Sequence, residues 1–119
     1  MVTATPEWAQ RDYTNALTQG FLKLDADVRD GIGDEGGCTA NAVLILDGTV
    51  YCANVGDSRA VLYRGDAAFP LSCDHKPSDP REAARVAAAG GTITHGRVGG
   101  LLTLTRALGD FELKTRTAE

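Results

Sequence analysis

Asp57 stands inside the run CANVGDSRAVL, where Gly56, Asp57, Ser58 and Arg59 interrupt what otherwise reads as apolar strand. Two chemistries fit such a break. In one, Asp57 caps backbone amides in a strand-linking turn, an ordinary task for aspartate. In the other, a carboxylate gripped between two buried strands has the fixed direction that a metal ligand requires. The acids Asp25, Asp27, Asp30, Asp34 and Glu35 are dense enough to suggest calcium. A twelve-residue calcium loop starting at Asp25 would need glycine where Asp30 stands and glutamate where Gly36 stands, so the pattern fails. His75 and His95 are the only histidines, and no G-x-S-x-G accompanies them. His75, in CDHKP, reads as a turn residue rather than a general base, and His95, in a glycine-rich turn, receives no role. The pairs Gly36-Gly37 and Gly99-Gly100 lack the Lys-Ser or Lys-Thr of a phosphate-binding loop.

The elements that must position Asp57 follow from periodicity and punctuation. Thr5 is the expected N-cap, Pro6 takes the first helical position, and Trp8, Tyr13, Leu17, Phe21, Leu24 and Val28 line one apolar face. One helix is expected there, weakened at Gly20 unless packing requires the glycine and ended by Gly31 and Gly33. CTANAVLIL, Asp47-Gly48 and TVYCANV then predict a hairpin. The nearly continuous run from Val43 to Leu46 predicts burial on both faces. RAVLYRG and AAFPLS add two more strands, for an antiparallel meander. In DHKPSDPREAARVAAAGG, Asp79 is the expected N-cap, Glu82 completes a capping box, and Gly90 takes the left-handed position after the helix. A short irregular hairpin, one helical turn over Leu104 to Leu108 and a frayed terminus follow.

The chain has 119 residues, 43% of them hydrophobic, which allows one domain with a modest core. A formal charge of -4 with scattered lysines and arginines argues against nucleic acid as partner. No stretch approaches the roughly 18 apolar residues of a membrane span, and MVTATPEW lacks the pattern of a secretory signal. Cys38, Cys52 and Cys73 have no CxxC spacing and read as reduced, buried small hydrophobes. A cytoplasmic or nuclear protein is expected.

Four motifs in order, GGCTANAVLI, VYCANVGDSRAVLYR, DHKPSDPREAARVAAAGG and GRVGGLLTLTRALGDFELK, closely resemble the metal-dependent protein serine/threonine phosphatases of type 2C. The resemblance implies an α+β fold, a partial α-β-β-α sandwich of antiparallel sheets with flanking helices. It also implies hydrolysis of phosphoserine and phosphothreonine on proteins by water activated at two Mg²⁺ or Mn²⁺ ions. It matches Asp57 to an aspartate that helps bind a third, labile metal. Residues from about 75 to 114 match the flap beside the active site, and residues 1–74 supply the helix and sandwich strands. Arg97 and Arg106 in the flap are candidates for contact with phosphoprotein substrate, with surface or packing roles as the alternative. The family's Asp-Gly-His-Gly-Gly, its phosphate-gripping arginine, and its later Asp-Gly-hydrophobic-Trp-Asp and Asp-Asn motifs have no match here. The expectation is therefore part of a phosphatase domain, lacking the N- and C-terminal portions of the full fold. The isolated chain is expected to be inactive, to bind metal weakly and to self-associate through exposed strand edges. A non-catalytic, phosphatase-like binding or regulatory module is the alternative.

Overall fold

A computed structural model of the chain describes residues 1–32 and 36–115. Its first turns form from local capping. A short 3-10 helix, Val2–Ala4, leads into α1 (Pro6–Ala9), where the Thr5 hydroxyl accepts a hydrogen bond from the Trp8 amide at 3.2 Å. The single long helix expected here is broken. Arg11 takes a left-handed φ of 60°, and Asp12 caps a new helix, α2 (Tyr13–Ile32), by accepting from the Asn15 amide and side chain. The bend brings Trp8 edge-on to Tyr13 at 5.1 Å, and Tyr13 in turn meets Tyr51 at 5.5 Å. Those ring contacts anchor α2 on the strands. Gly20 is there for packing, because a Cβ on it would collide with the Val2 side chain crossing the helix.

Among the described residues eight strands follow, four of them only two residues long: β1 (Gly37–Cys38), β2 (Ala40–Leu46), β3 (Thr49–Val55), β4 (Val61–Arg64), β5 (Ala67–Pro70), β6 (Ile93–Thr94), β7 (Arg97–Val98) and β8 (Leu108–Gly109). Their pairings are antiparallel: β2 with β3, β4 with β5, β6 with β7, and β1 with β8. The expected β2–β3 hairpin is present, with Ala40 opposite Val55 and Leu46 opposite Thr49. Its turn places Asp47 at φ 50° and Gly48 at φ 74°, the left-handed pair that matches the twist of the flanking strands. The meander, by contrast, is interrupted among the described residues. β3 and β4 do not pair, because the chain bends away at Gly56 (φ 97°).

Burial on both faces of β2 is also corrected. Val43 and Ile45 are 48% and 71% exposed while Leu44 and Leu46 are half-buried, so the strand alternates. Two of the three cysteines, Cys38 and Cys73, are exposed and Cys52 is half-buried; all three are free thiols rather than buried hydrophobes.

α3 (Pro80–Ala88) starts as expected, with the Asp79 carboxylate accepting from the Arg81 amide at 2.9 Å. It ends in a Schellman motif: Gly90 N–H bonds to Ala87 and Gly91 N–H to Val86, with Gly90 at φ 80°. The capping box does not form, since the Glu82 side chain turns inward instead. The expected helical turn over Leu104 to Leu108 is absent; the chain bends at residues 103–105 before entering β8, and the helix comes later as α4 (Phe111–Thr115). The frayed terminus, like the acidic Asp34 and Glu35, lies outside the described residues.

The core is small and sits where α2, α3 and residues 107–111 meet. Ala16, Leu17, Val86, Ala107, Leu108 and Phe111 are buried there. Asp25 on α2 clamps this junction by accepting from the Gly109 amide at 2.8 Å and the Lys114 ammonium at 2.7 Å. Among the described residues, no helix is long and apolar enough to cross a membrane.

Candidate functional site

The break after β3 is held by what faces it. Gly56 is buried, and a side chain there would run into Thr39 and lie 3.2 Å from the Arg106 carbonyl oxygen. With φ at 97°, only glycine enters this space without strain. Residues 56–59 then lie against residues 74–76. The Arg59 guanidinium donates to both oxygens of Asp74, each at 2.9 Å. His75 N–H donates to the Gly56 carbonyl at 3.0 Å, while the Gly56 amide donates to His75 Nδ1 at 3.0 Å. Lys76 Nζ donates to Asp57 Oδ2 at 2.9 Å. Amide side chains close the base of this clamp: Asn54 bonds the carbonyls of Gly56 and Cys73, and Asn41 bonds Asn54 and Ser72.

A second cluster sits behind the first. Glu82, buried on α3, accepts from Thr105 Oγ1 at 2.6 Å, Arg106 at 2.7 and 2.9 Å, and Arg85 at 3.0 Å. Burial acts to raise its pKa, but the hydrogen bonds from Arg106, Arg85 and Thr105 outweigh it and hold the carboxyl far below the ordinary range. His75 joins the two clusters, because its carbonyl accepts from the Thr105 amide at 2.9 Å. Burial, and then the neighbouring Arg106 charge, push its imidazole below the usual value, which favours the neutral ring. Asp74 is held low by its bond to Arg59.

Asp57 is thus half-buried at the mouth of a rigid turn, paired with an ammonium rather than capping amides. Arg106 is committed to Glu82, and Arg97 braces the turn after β7 by donating to the Leu101 carbonyl at 2.8 Å. No described hydrogen bond joins either arginine to Asp57. His95 sits at φ 52° in the β6–β7 turn. Sequence reasoning does not single out Lys76, Asp74, Glu82 or Thr105 as members of the site. A signal exists for two of them: Asp57 and Arg59 carry opposite charges two residues apart, and Asp74 and Lys76 repeat that spacing.

The donor set is too thin for a metal centre. Among the described residues, no three His, Cys, Asp or Glu side chains converge to hold an ion. Asp57 brings one carboxylate, already faced by Lys76. These residues do not by themselves fit a divalent cation of the kind the resemblance implies.

Comparison with known proteins decides the family. A family model described as Protein phosphatase 2C matches residues 3–119. The chain belongs to the protein phosphatase 2C family. Among its relatives in fission yeast, protein phosphatase 2C homolog 2 is 50% identical over 118 residues and homolog 3 is 48% identical over 117. Each alignment covers 96% of this chain, but only 32% and 28% of those proteins respectively. The chain therefore spans about a third of the length of the curated relatives it matches. A solved structure described as a C. elegans sex determining protein aligns at a TM-score of 0.69 and 33% identity, covering 84% of this chain and 26% of that one. The mixed helix and antiparallel-strand architecture is the protein phosphatase 2C fold in part.

Proposed function

We propose that this chain works within a protein phosphatase that hydrolyses phosphoserine and phosphothreonine on proteins, using water activated by Mg²⁺ or Mn²⁺. The match to the Protein phosphatase 2C model over residues 3–119 carries this reading. Within it, Asp57 offers one carboxylate toward a divalent cation, and the Lys76 ammonium balances that carboxylate's charge when the ion is absent. The acids that would complete such a centre are not among this chain's described residues. The chain's own contribution is positional: it fixes Asp57 and carries the β6–β7 hairpin with Arg97. Arg106 serves substrate only indirectly, by locking residues 105–106 to α3 through Glu82.

A segment exchange tests the proposal. This chain replaces the matching segment of the fission-yeast relative that is 50% identical, and the chimera is assayed on phosphoserine and phosphothreonine peptides with Mn²⁺. Metal-dependent phosphate release that falls in Asp57→Asn is expected. A folded but inactive chimera, or one indifferent to Asp57→Asn, refutes the reading.

We further expect the isolated chain to self-associate. Val43 and Ile45 on β2 and Val61 and Tyr63 on β4 are exposed on short, partly unpaired sheets, a surface that favours pairing with another chain. A monomer by light scattering contradicts this.

A further inference from the structure

The contact between residues 56–59 and 74–76 has three points, and they differ in kind. The outer two are ion pairs between side chains that reach solvent, Arg59 with Asp74 and Lys76 with Asp57. Such pairs exchange with water and fix a direction poorly. The middle one joins His75 to the backbone of Gly56 through both the N–H and the C=O of the glycine. Gly56 has no side chain to restrict it, and its torsions set where the next residue, Asp57, points. Whatever holds the Gly56 peptide therefore aims the carboxylate.

We propose that His75, through Nδ1 as acceptor from the Gly56 amide, is the positioning residue that aims Asp57 and couples it to residues 105–106. This rests on the reading of Asp57 as a carboxylate offered to a cation. The coupling is continuous in hydrogen bonds. The His75 carbonyl holds the Thr105 amide, the Thr105 hydroxyl holds Glu82, and Glu82 holds Arg106 and Arg85. Arg106 returns to the start, since its carbonyl packs over Gly56. The glycine is thus bonded from one side and packed from the other by the same network. The Gly56 N–H pointing at Nδ1 requires a neutral ring with its proton on Nε2, and burial with the nearby Arg106 charge favours the neutral form.

The geometry makes chemical demands on residue 75. Asparagine carries an amide oxygen close to the place of Nδ1, so His75→Asn keeps the acceptor. His75→Gln carries its amide one carbon further out and loses it, as does His75→Ala. The test is NMR of the isotopically labelled 119-residue chain and these three variants, with the β2–β3 hairpin amides reporting that each is folded. Wild type should show a through-hydrogen-bond coupling between His75 Nδ1 and the Gly56 nitrogen. Asp57 should occupy one χ1 rotamer in wild type and in His75→Asn, and average over rotamers in His75→Gln and His75→Ala. If His75→Ala does not fold, His75→Gln supplies the comparison in its place. Absence of the coupling in folded wild type overturns the proposal, as does a single Asp57 rotamer in folded His75→Gln or His75→Ala. Added Mn²⁺ tests the underlying reading separately, by paramagnetic broadening centred on Asp57. If that broadening is missing while coupling and rotamers behave as stated, the metal reading fails and the positioning role stands.

Discussion

Replacing Glu82 by glutamine would remove the one buried charge among the described residues and leave two guanidiniums facing a neutral amide. The carboxylate accepts hydrogen bonds from three residues: two from Arg106, one from Thr105 and one from Arg85. Hydrogen bonds to a charged group contribute about 1.5–3 kcal/mol each, and breaking a fully buried ion pair costs about 3–5 kcal/mol. Here the arginines are 42% and 43% exposed, so water recovers part of the loss. Glutamine also keeps one acceptor oxygen. The net cost should be about 2–3 kcal/mol, or a Tm lower by about 8–12 °C at roughly 4 °C per kcal/mol. Urea unfolding followed by circular dichroism should show the midpoint move at unchanged slope. The pH dependence has a definite sign. The folded carboxyl is held below its ordinary value of 4.5, so its contribution is complete above that pH and is lost as pH falls. The gap between wild type and Glu82→Gln should be full at neutral pH and shrink in acid. A loss below about 0.5 kcal/mol at neutral pH, within the range of ordinary surface substitutions, or a gap that widens in acid, refutes the reasoning.

Three further outcomes follow from single positions. Gly56→Ala should cost about 2 kcal/mol or more in urea unfolding, because it adds left-handed strain to a collision with Thr39. Gly20→Ala should fail to give the stabilisation of about 1 kcal/mol that helix propensity alone promises, and Val2→Gly in the same chain should restore it. Asp79→Ala should cost about 1 kcal/mol by removing the cap on the Arg81 amide, again read from the urea midpoint.

Local chemistry is legible in the sequence, and long-range partners are not. The Asp47-Gly48 turn and the Asp79–Pro80 helix start depend on residues within four of each other, and both appear where expected. The helix break at Arg11 has one sequence signal, Asp12 as an N-cap, but within an apolar face that continues from Trp8 through Tyr13 it reads as one more helical residue; ring packing of Trp8 on Tyr13 accompanies the left-handed turn. Glu82 satisfies a local capping pattern, yet donors from residues 85, 105 and 106 outcompete one backbone amide for its oxygens. Leu104 to Leu108 reads as helical by spacing, but Gly109 is required for close approach to Gly36 and Gly37, which draws the segment into a strand pairing. The cysteines are more exposed than expected: Cys38 sits on a two-residue strand and Cys73 in the loop after β5, and their apolar sequence neighbours do not reveal that. For the site, Asp57 is legible from its break in the strand, whereas its partner Lys76 lies nineteen residues away, across β4 and β5.

On this reading the chain fixes one acid for a metal-dependent phosphatase without assembling the metal centre itself. Calorimetric titration of the 119-residue chain with Mn²⁺ puts that division of labour to the test. One weak site is expected, with Kd on the order of millimolar, weakened further in Asp57→Asn. Two tightly held ions, with micromolar or lower Kd and unaffected by that substitution, would contradict it.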